Sequence, residues 1–300
     1  MTRILIGPSR TWLADAIEAG GGTVVTTDET ANESDDPAEA VVWTDPKRPD
    51  GLRALLDDQP GIRWVQLPWA GIEPFVPVLD RDRVWTCGKG VYADPVAEQA
   101  LLFALMGLRG MATYANATTW EPPEGHNLLG ATVTIVGGGG IAQSLLRLLE
   151  PFGVRTNVIR RSVAPTLDDL DGLLPTSDVV VLALPLTPET EGLFDARRLR
   201  LLPDHAWLVN VARGGHIVTD DLVAVLRDGA IGGAGLDVTD PEPLPDGHPL
   251  WALPNCFISP HVGNTPEMAV PLLSARVRDN VRRFIAGDEL VGIVDVDAGY

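Results

Sequence analysis

The chain has 300 residues, 45% of them hydrophobic and 21% charged, an ordinary globular composition that excludes disorder over most of its length. Its formal net charge of −18 at pH 7 argues against nucleic acids and anionic membranes as partners. No apolar run is long enough to predict a membrane span, and the first residues lack the pattern of a secretory signal.

The cysteine and lysine counts bear on the redox compartment and the salt concentration in which the protein functions. Cys87 and Cys256 make neither a disulfide framework nor a zinc site, so we expect buried thiols, a reducing cytoplasm and no metal. The 41 acidic residues face 23 basic ones, of which only Lys47 and Lys89 are lysines. Adaptation to high salt and a GC-rich genome both produce such an acidic, lysine-poor chain, and the sequence leaves the two explanations open.

The first part of the chain alternates short apolar stretches with helical ones. Strands are predicted at Arg3–Gly7, Thr23–Thr26, Ala40–Thr44, Ile62–Leu67 and Val84–Cys87. Helices are predicted at Trp12–Ala19 and Gly51–Asp57, and the polar residues 27–37 predict a solvated loop. This alternation is typical of an α/β layer with a parallel sheet.

A long apolar stretch, Pro95–Gly110, predicts a largely buried helix, and residues 111–129 predict a linker or arm. Strands are then predicted at Ala131–Val136, Arg155–Ile159, Val179–Ala183, Ala206–Asn210, Gly235–Val238 and Cys256–Ile258. The helices predicted with them are Ile141–Glu150, Leu167–Leu174, Ala196–Leu201, Asp220–Asp228 and Pro266–Ala286. Repeated βαβ units of this kind predict a doubly wound parallel sheet.

A glycine loop stands between the first of these later strands and its helix. In the pattern Gly137-x-Gly139-x-x-Ala142, the first glycine permits a tight turn and the second lets a pyrophosphate approach the backbone. The third position needs only a small residue. The helix N-terminus adds N–H groups and a positive dipole end. The sequence therefore predicts a dinucleotide site, with Gly140 and Ile141 also beside the cofactor.

The end of the next strand indicates which dinucleotide is bound. An NAD site prefers a carboxylate there, whereas this chain has Arg160, Arg161 and Ser162. Two guanidiniums and a hydroxyl suit a phosphate dianion, which predicts NADP(H). The alternative is that these arginines are a solvated strand end and that NAD(H) binds.

Three later segments stand at or just after the C-terminal ends of strands, where ligands bind in open α/β sheets. They read NVARGG, GLDVTDPEPLP and ISPHVG, beginning at Asn210, Gly235 and Ile258. They supply one arginine, one glutamate and one histidine, which are Arg213, Glu242 and His261.

With these motifs in this order, the chain resembles the D-isomer-specific 2-hydroxyacid dehydrogenase family over nearly its whole length. VAEQALL at 96–102, LPLTPET at 184–190 and VDVDAGY at 294–300 belong to the same resemblance. It implies two Rossmann-like domains with doubly wound parallel sheets, the active site in the interdomain cleft, and a homodimer. The implied domains are a flavodoxin-like substrate-binding domain (1–94 plus 268–300) and a nucleotide-binding Rossmann domain (95–267).

The resemblance also implies roles for the three residues. Arg213 matches the arginine that binds the carboxylate of a 2-oxo acid and polarises its carbonyl. His261 matches the acid/base residue, and Glu242 matches its carboxylate partner, which favours the protonated imidazole. In reduction, a hydride leaves the nicotinamide for the carbonyl carbon while His261 protonates the oxygen.

Further positions follow from the resemblance. Asp237 resembles the residue near the nicotinamide amide, and Trp69-Ala70-Gly71 matches a substrate loop whose backbone N–H groups hold the carboxylate. Trp69 either bounds the substrate side chain or belongs to the core. The other positions expected beside the cofactor are Leu184, Pro185, Thr190, Val211, Ala212, His261 and Gly263.

The arginine in place of the usual ribose-binding aspartate indicates the NADPH-using glyoxylate/hydroxypyruvate reductase-like branch. We therefore predict an oxidoreductase that moves a hydride between NADP(H) and a small 2-oxo acid/D-2-hydroxy acid pair. One alternative is an NAD-dependent D-2-hydroxyacid or phosphoglycerate dehydrogenase. Another, of a different class, is a redox-sensing interaction protein that binds a nicotinamide cofactor.

Overall fold

The computed structural model describes residues 1–7, 12–26, 37–115 and 117–299. They form two compact units, Met1–Tyr92 with Pro266–Tyr300 and, between these stretches, Ala93–Thr265. Each unit contains a parallel sheet with helices, so the α/β class and the doubly wound sheets predicted from the sequence are confirmed. The loop predicted at 27–37 lies, apart from Pro37, outside the described residues.

The first unit is built on a five-stranded parallel sheet in the order β2-β1-β3-β4-β5. Its strands are β1 (Arg3–Ile6), β2 (Thr23–Thr26), β3 (Ala40–Val42), β4 (Trp64–Gln66) and β5 (Val84–Thr86). Its helices are α1 (Leu13–Ala19), α2 (Pro49–Asp58) and α9 (Pro266–Ala286), and α9 packs against α1. Strands β1, β3 and β4 are almost wholly buried, as expected where a parallel sheet is covered on both faces.

The second unit contains a six-stranded parallel sheet in the order β11-β10-β9-β8-β6-β7. Its strands are β6 (Thr132–Val136), β7 (Arg155–Ile159), β8 (Val179–Leu182), β9 (Trp207–Asn210), β10 (Gly233–Leu236) and β11 (Cys256–Ile258). Its helices are α3 (Ala93–Leu108), α4 (Met111–Tyr114), α5 (Gly140–Leu149), α6 (Leu170–Leu173), α7 (Ala196–Leu199) and α8 (Thr219–Arg227). Two hydrophobic clusters form its core, one packing α3 and α5, the other α7 and α8.

The strand order of the second sheet reverses beside β6, because β7 lies on one side of it and β8 on the other. Ligands of open α/β sheets bind at such a switch point, beyond the carboxyl ends of the strands. Gly137 follows β6 and Ala183 follows β8, and the two backbones approach closely there. A Cβ on Gly137 would lie 2.1 Å from the carbonyl oxygen of Ala183. The fold thus places the glycine loop at this switch point.

Several predicted elements differ from the observed ones. The helix predicted as largely buried is buried on one face only, and Leu102 of α3 is 48% exposed. The single helix predicted at Leu167–Leu174 is wrong, because α6 covers four residues between two short 3₁₀ turns. Gly172 lies inside α6, and Pro175 lies beyond the predicted stretch, in the second 3₁₀ turn.

Two absences hold for the part of the chain that the structure describes. No helix there is both long and apolar enough to cross a membrane. No group of three or more His, Cys, Asp or Glu side chains in these residues is placed to hold a metal ion.

Candidate active site

The glycine loop follows β6 and leads into α5. Gly137 has a φ of 120°, a backbone angle that residues other than glycine rarely adopt. Gly138, Gly139 and Gly140 are exposed, and a Cβ on Gly139 would meet no described atom within 4 Å. Because α5 begins at Gly140, its first backbone N–H groups lie at this open space. The loop therefore fits the pyrophosphate of a dinucleotide.

The turn after β7 carries Arg160, Arg161 and Ser162, all exposed. The Arg160 side chain lies along the glycine loop, since a Cβ on Gly138 would be 2.9 Å from its Cγ and 3.3 Å from its Nε. Arg160 Nη1 also donates to the carbonyl of Val158 at 3.3 Å. A guanidinium thus stands beside the loop, as a phosphate on the adenosine half of a dinucleotide would require.

Arg161 has a carboxylate in its surroundings, that of Glu189. The Thr187 side chain hydrogen-bonds Glu189 and lowers the pKa of that carboxyl, and Arg161 adds a smaller effect in the same direction. Glu189 and Arg161 are both exposed, so solvent screens their interaction.

Two turns carry five of the residues expected to line the cofactor. After β8, Leu184 is partly buried and Pro185 is exposed, and the buried Thr190 closes the turn by donating its hydroxyl to the Pro185 carbonyl at 2.9 Å. After β9, Val211 and Ala212 are buried. Both turns lie at the carboxyl edge of the sheet, as the glycine loop does.

Arg213 lies on the turn after β9, and a buried asparagine shapes this turn. Asn210 is fully buried, accepts the backbone N–H of Ala212 at 3.0 Å and donates to the Arg213 carbonyl at 2.8 Å. A Cβ on Gly214 would lie 2.0 Å from the carbonyl of Thr239, so the turn packs closely on the segment after β10. Only glycine fits this contact, which fixes the backbone from which Arg213 projects.

His261 and Glu242 come together although 18 residues separate them in the chain. His261 Nδ1 lies 2.6 Å from Glu242 Oε1, and the side chains are 53% and 42% exposed. A carboxylate at Nδ1 fixes the proton on that nitrogen and leaves Nε2 to exchange a proton with a ligand. The pair has the geometry of a general acid/base with its orienting carboxylate.

The sequence did not indicate how the His261 loop is held. Asp237 is 3% exposed, and its carboxylate accepts hydrogen bonds from Ser259 Oγ at 2.5 Å and from the backbone N–H groups of Val262 and Gly263 at 2.9 Å. His261, at φ 54°, donates its own N–H to the Asp237 carbonyl at 2.8 Å. A buried aspartate thus holds His261, the candidate acid/base residue, in a left-handed conformation that non-glycine residues seldom adopt.

The candidate substrate loop lies in the first unit, between β4 and a short 3₁₀ helix. Trp69 is partly exposed and its ring packs on Tyr92, with centroids 5.5 Å apart. The Trp69 carbonyl accepts the N–H of Gly88 at 2.8 Å. Ala70 is exposed and Gly71 is partly buried. Trp69 is therefore not a core residue of this unit, although one side of its ring is packed.

Comparison with known proteins agrees with this arrangement. The sequence profile described as "D-isomer specific 2-hydroxyacid dehydrogenase, NAD binding domain" matches residues 99–263. A curated relative, glyoxylate/hydroxypyruvate reductase A of Serratia proteamaculans, is 30% identical over 295 residues, which cover 89% of each chain.

Solved structures are similar along the whole chain. A D-isomer specific 2-hydroxyacid dehydrogenase of Xanthobacter autotrophicus, in complex with NADPH and MES, has a TM-score of 0.83 and 27% identity, covering 100% of this chain and 99% of its own. An NADPH-dependent glyoxylate/hydroxypyruvate reductase of Sinorhizobium meliloti, in complex with NADP and sulfate, has a TM-score of 0.81 and 27% identity, covering 100% of both chains.

Proposed function

The chain belongs to the D-isomer specific 2-hydroxyacid dehydrogenase family, and from this premise we propose that it is an NADPH-preferring reductase of small 2-oxo acids such as glyoxylate or hydroxypyruvate. As a family member it is an oxidoreductase that acts on CH–OH groups and has an NAD-binding domain. The observation that carries the proposal is the His261–Glu242 pair, which lies in the same unit as a glycine loop flanked by Arg160.

In the proposed reduction, Arg213 binds the substrate carboxylate with its planar guanidinium and polarises the carbonyl. His261 donates the proton from Nε2 to the carbonyl oxygen, and Glu242 stabilises the imidazolium before this transfer. The bound nicotinamide supplies the hydride to the carbonyl carbon. The product is a 2-hydroxy acid, and His261 accepts the proton when the reaction runs in the oxidative direction.

The binding residues are assigned in the same proposal. Residues 95–267 form the nucleotide-binding domain, and residues 1–94 with 268–300 form the substrate domain, where Trp69, Ala70 and Gly71 contact the substrate. Gly137, Gly139, Gly140 and Ile141 would hold the pyrophosphate, and Arg160, Arg161 and Ser162 would hold the 2′-phosphate. The nicotinamide half is bordered by Leu184, Pro185, Thr190, Val211, Ala212, Asp237, His261 and Gly263.

The protein is also proposed to be a homodimer in the cytoplasm. Apolar side chains exposed around α3 and the following segment support an interface, namely Leu102, Met111, Trp120 and Leu129. Both cysteines are free, which agrees with a reducing compartment. Light scattering on the purified protein tests the dimer, and a monomer at micromolar concentration would contradict it.

The experiment that tests the function is initial-rate oxidation of NADPH and NADH, side by side, with glyoxylate, hydroxypyruvate, pyruvate and phenylpyruvate. We expect turnover of the smaller acids with NADPH well above NADH. Faster turnover with NADH would keep the reaction and overturn the cofactor preference. Cofactor binding without turnover of any 2-oxo acid would favour a redox sensor instead.

A further inference from the structure

His216 is a fully buried histidine that the sequence analysis gave no role. It ends the short 3₁₀ turn Gly214–His216 directly after Arg213, and its side chain is 0% exposed. Both ring nitrogens face backbone carbonyls. Nδ1 lies 2.9 Å from the Thr190 oxygen and Nε2 lies 3.1 Å from the Leu184 oxygen. The imidazole therefore spans the two ends of the turn after β8.

The two carbonyls are more acceptors than one neutral imidazole can satisfy. A carbonyl oxygen only accepts hydrogen bonds, and a neutral imidazole has one N–H donor and one acceptor nitrogen. The ring therefore satisfies one carbonyl at a time when neutral, and both only when protonated. Packing alone does not require two carbonyls at hydrogen-bond distance from the two nitrogens, so the ring is placed to hold the turn.

The electrostatics of the site keep the ring neutral. Burial lowers the pKa of His216 and the positive charge of Arg213 lowers it further, whereas the carbonyls of Thr190 and Leu184 act in the opposite direction. On the segment after β8, the carboxylates of Glu189 and Glu191 are exposed at the surface. At neutral pH the imidazole is thus a single donor shared between two carbonyls.

The turn that His216 holds lies against the glycine loop. A Cβ on Gly137 would be 3.1 Å from the backbone nitrogen of Leu184, so the two backbones approach too closely for any side chain at Gly137. The backbone of His216 belongs to the Arg213 turn, where the His216 backbone N–H donates to the Arg213 carbonyl at 3.3 Å. The ring thus connects the proposed cofactor turn with the turn that carries the proposed substrate arginine.

We infer that His216 is a positioning residue for the cofactor, which fixes the course of Leu184–Thr190 beside the glycine loop and ties it to the Arg213 turn. This inference rests on the proposed function, because it presumes that the glycine loop binds a nicotinamide dinucleotide. His216 itself is fully buried, so its side chain offers no surface to a bound cofactor or substrate. Its effect is therefore on the affinity for the dinucleotide, with a smaller effect on the chemical step.

The test compares three variants of the full chain, His216→Phe, His216→Asn and His216→Gln. Phenylalanine keeps an aromatic ring but donates to neither carbonyl, while the two amides each retain an NH₂ group that can donate hydrogen bonds. The readouts are the NADPH dissociation constant, from fluorescence titration without substrate, and the separate values of kcat and KM. His205→Phe is the matched control, because His205 is bonded to Asp178 in the same unit, at the opposite ends of the strands.

For His216→Phe we expect the NADPH dissociation constant to rise about fivefold, which corresponds to one lost hydrogen bond worth about 1 kcal/mol. KM for NADPH rises with it and kcat changes less, and at least one amide variant recovers part of the affinity. His205→Phe lowers the melting temperature and leaves the dissociation constant within about twofold. If His216→Phe does not fold, the amide variants decide: we expect weaker NADPH binding than in the wild type in at least one of them, and wild-type affinity in both would contradict the inference.

Two results would overturn the inference while leaving the proposed function in place. One is unchanged NADPH affinity in every folded His216 variant of a wild-type protein that binds and oxidises NADPH. The other is an equal loss of affinity in His205→Phe, which would indicate general destabilisation. A wild-type protein that binds neither NADPH nor NADH would instead refute the proposed function, and the inference with it.

Discussion

Replacing Glu242 by glutamine tests the proposed acid/base pair most directly, because it removes one charge and keeps the shape. The hydrogen bond at 2.6 Å joins an imidazole to a carboxylate, and bonds to charged groups are worth about 1.5–3 kcal/mol. Both side chains are roughly half exposed, at 53% and 42%, so solvent screening favours the lower end of that range. About 1.5 kcal/mol corresponds to a roughly tenfold lower kcat.

The assay is steady-state reduction of the best 2-oxo acid at saturating NADPH by the variants Glu242→Gln and His261→Ala. Glu150→Gln, at an exposed position in the same unit, is the matched control for the first of them. Loss of the acid itself costs about 10²- to 10⁴-fold, so His261→Ala must be the slower of the two site variants. NADPH binding should survive in all three. Wild-type turnover in Glu242→Gln, or equal rates for it and His261→Ala, would refute the assigned division of roles.

Three further predictions use other parts of the second unit. Arg160→Asp should lower the ratio of kcat/KM with NADPH to that with NADH by about tenfold or more, and an unchanged ratio would remove Arg160 from the phosphate site. Burial raises the pKa of Asp178, but hydrogen bonds from the Thr132 N–H and from His205 outweigh this effect, and the net pKa is lowered. The ionised carboxylate therefore stabilises the fold above pH ~4, and this stabilisation is lost as the pH falls further. Asp178→Asn should therefore lower the melting temperature at pH 7 and have a smaller effect near pH 3; equal losses at both would contradict this. Because burial lowers the pKa of His216, the unfolded chain takes up its proton first, and stability should decline as pH falls below ~6.5. The decline should be shallower in His216→Gln when melting is followed from pH 8 to pH 5, and a parallel decline would show that another group causes it.

The sequence predicted those parts of the fold and the site that depend on local pattern. The glycine loop is recognisable because its three positions, the strand before it and the helix after it are contiguous. Arg213, Glu242 and His261 each follow a strand, and parallel strands bring such positions to one edge of a sheet. Helix ends were less certain, as in α6, where tertiary packing and not propensity decides how much of the stretch is helical.

The supporting contacts could not be predicted, because their partners are far apart in the sequence. Asp237 was assigned to the cofactor by resemblance, yet its carboxylate is hydrogen-bonded to groups 22 to 26 residues later. The two carbonyls of His216 lie 26 and 32 residues earlier. No periodicity or motif encodes such pairings, since they exist only once β8, β9 and β10 have aligned.

Three buried polar side chains share one function in this unit. Asn210 shapes the Arg213 turn, Asp237 holds the His261 loop, and His216 spans the turn after β8. Each lies on a segment that follows or ends a strand at the carboxyl edge and bonds to backbone groups, and Asp237 also accepts a hydrogen bond from the Ser259 hydroxyl. A buried polar group costs free energy unless it is hydrogen-bonded. Each of these side chains therefore fits its position only while the turn keeps the backbone conformation that supplies its hydrogen-bond partners. The side chains of His261 and Glu242 are exposed, so packing alone does not fix their positions. The geometry of the proposed site therefore depends on these three buried residues.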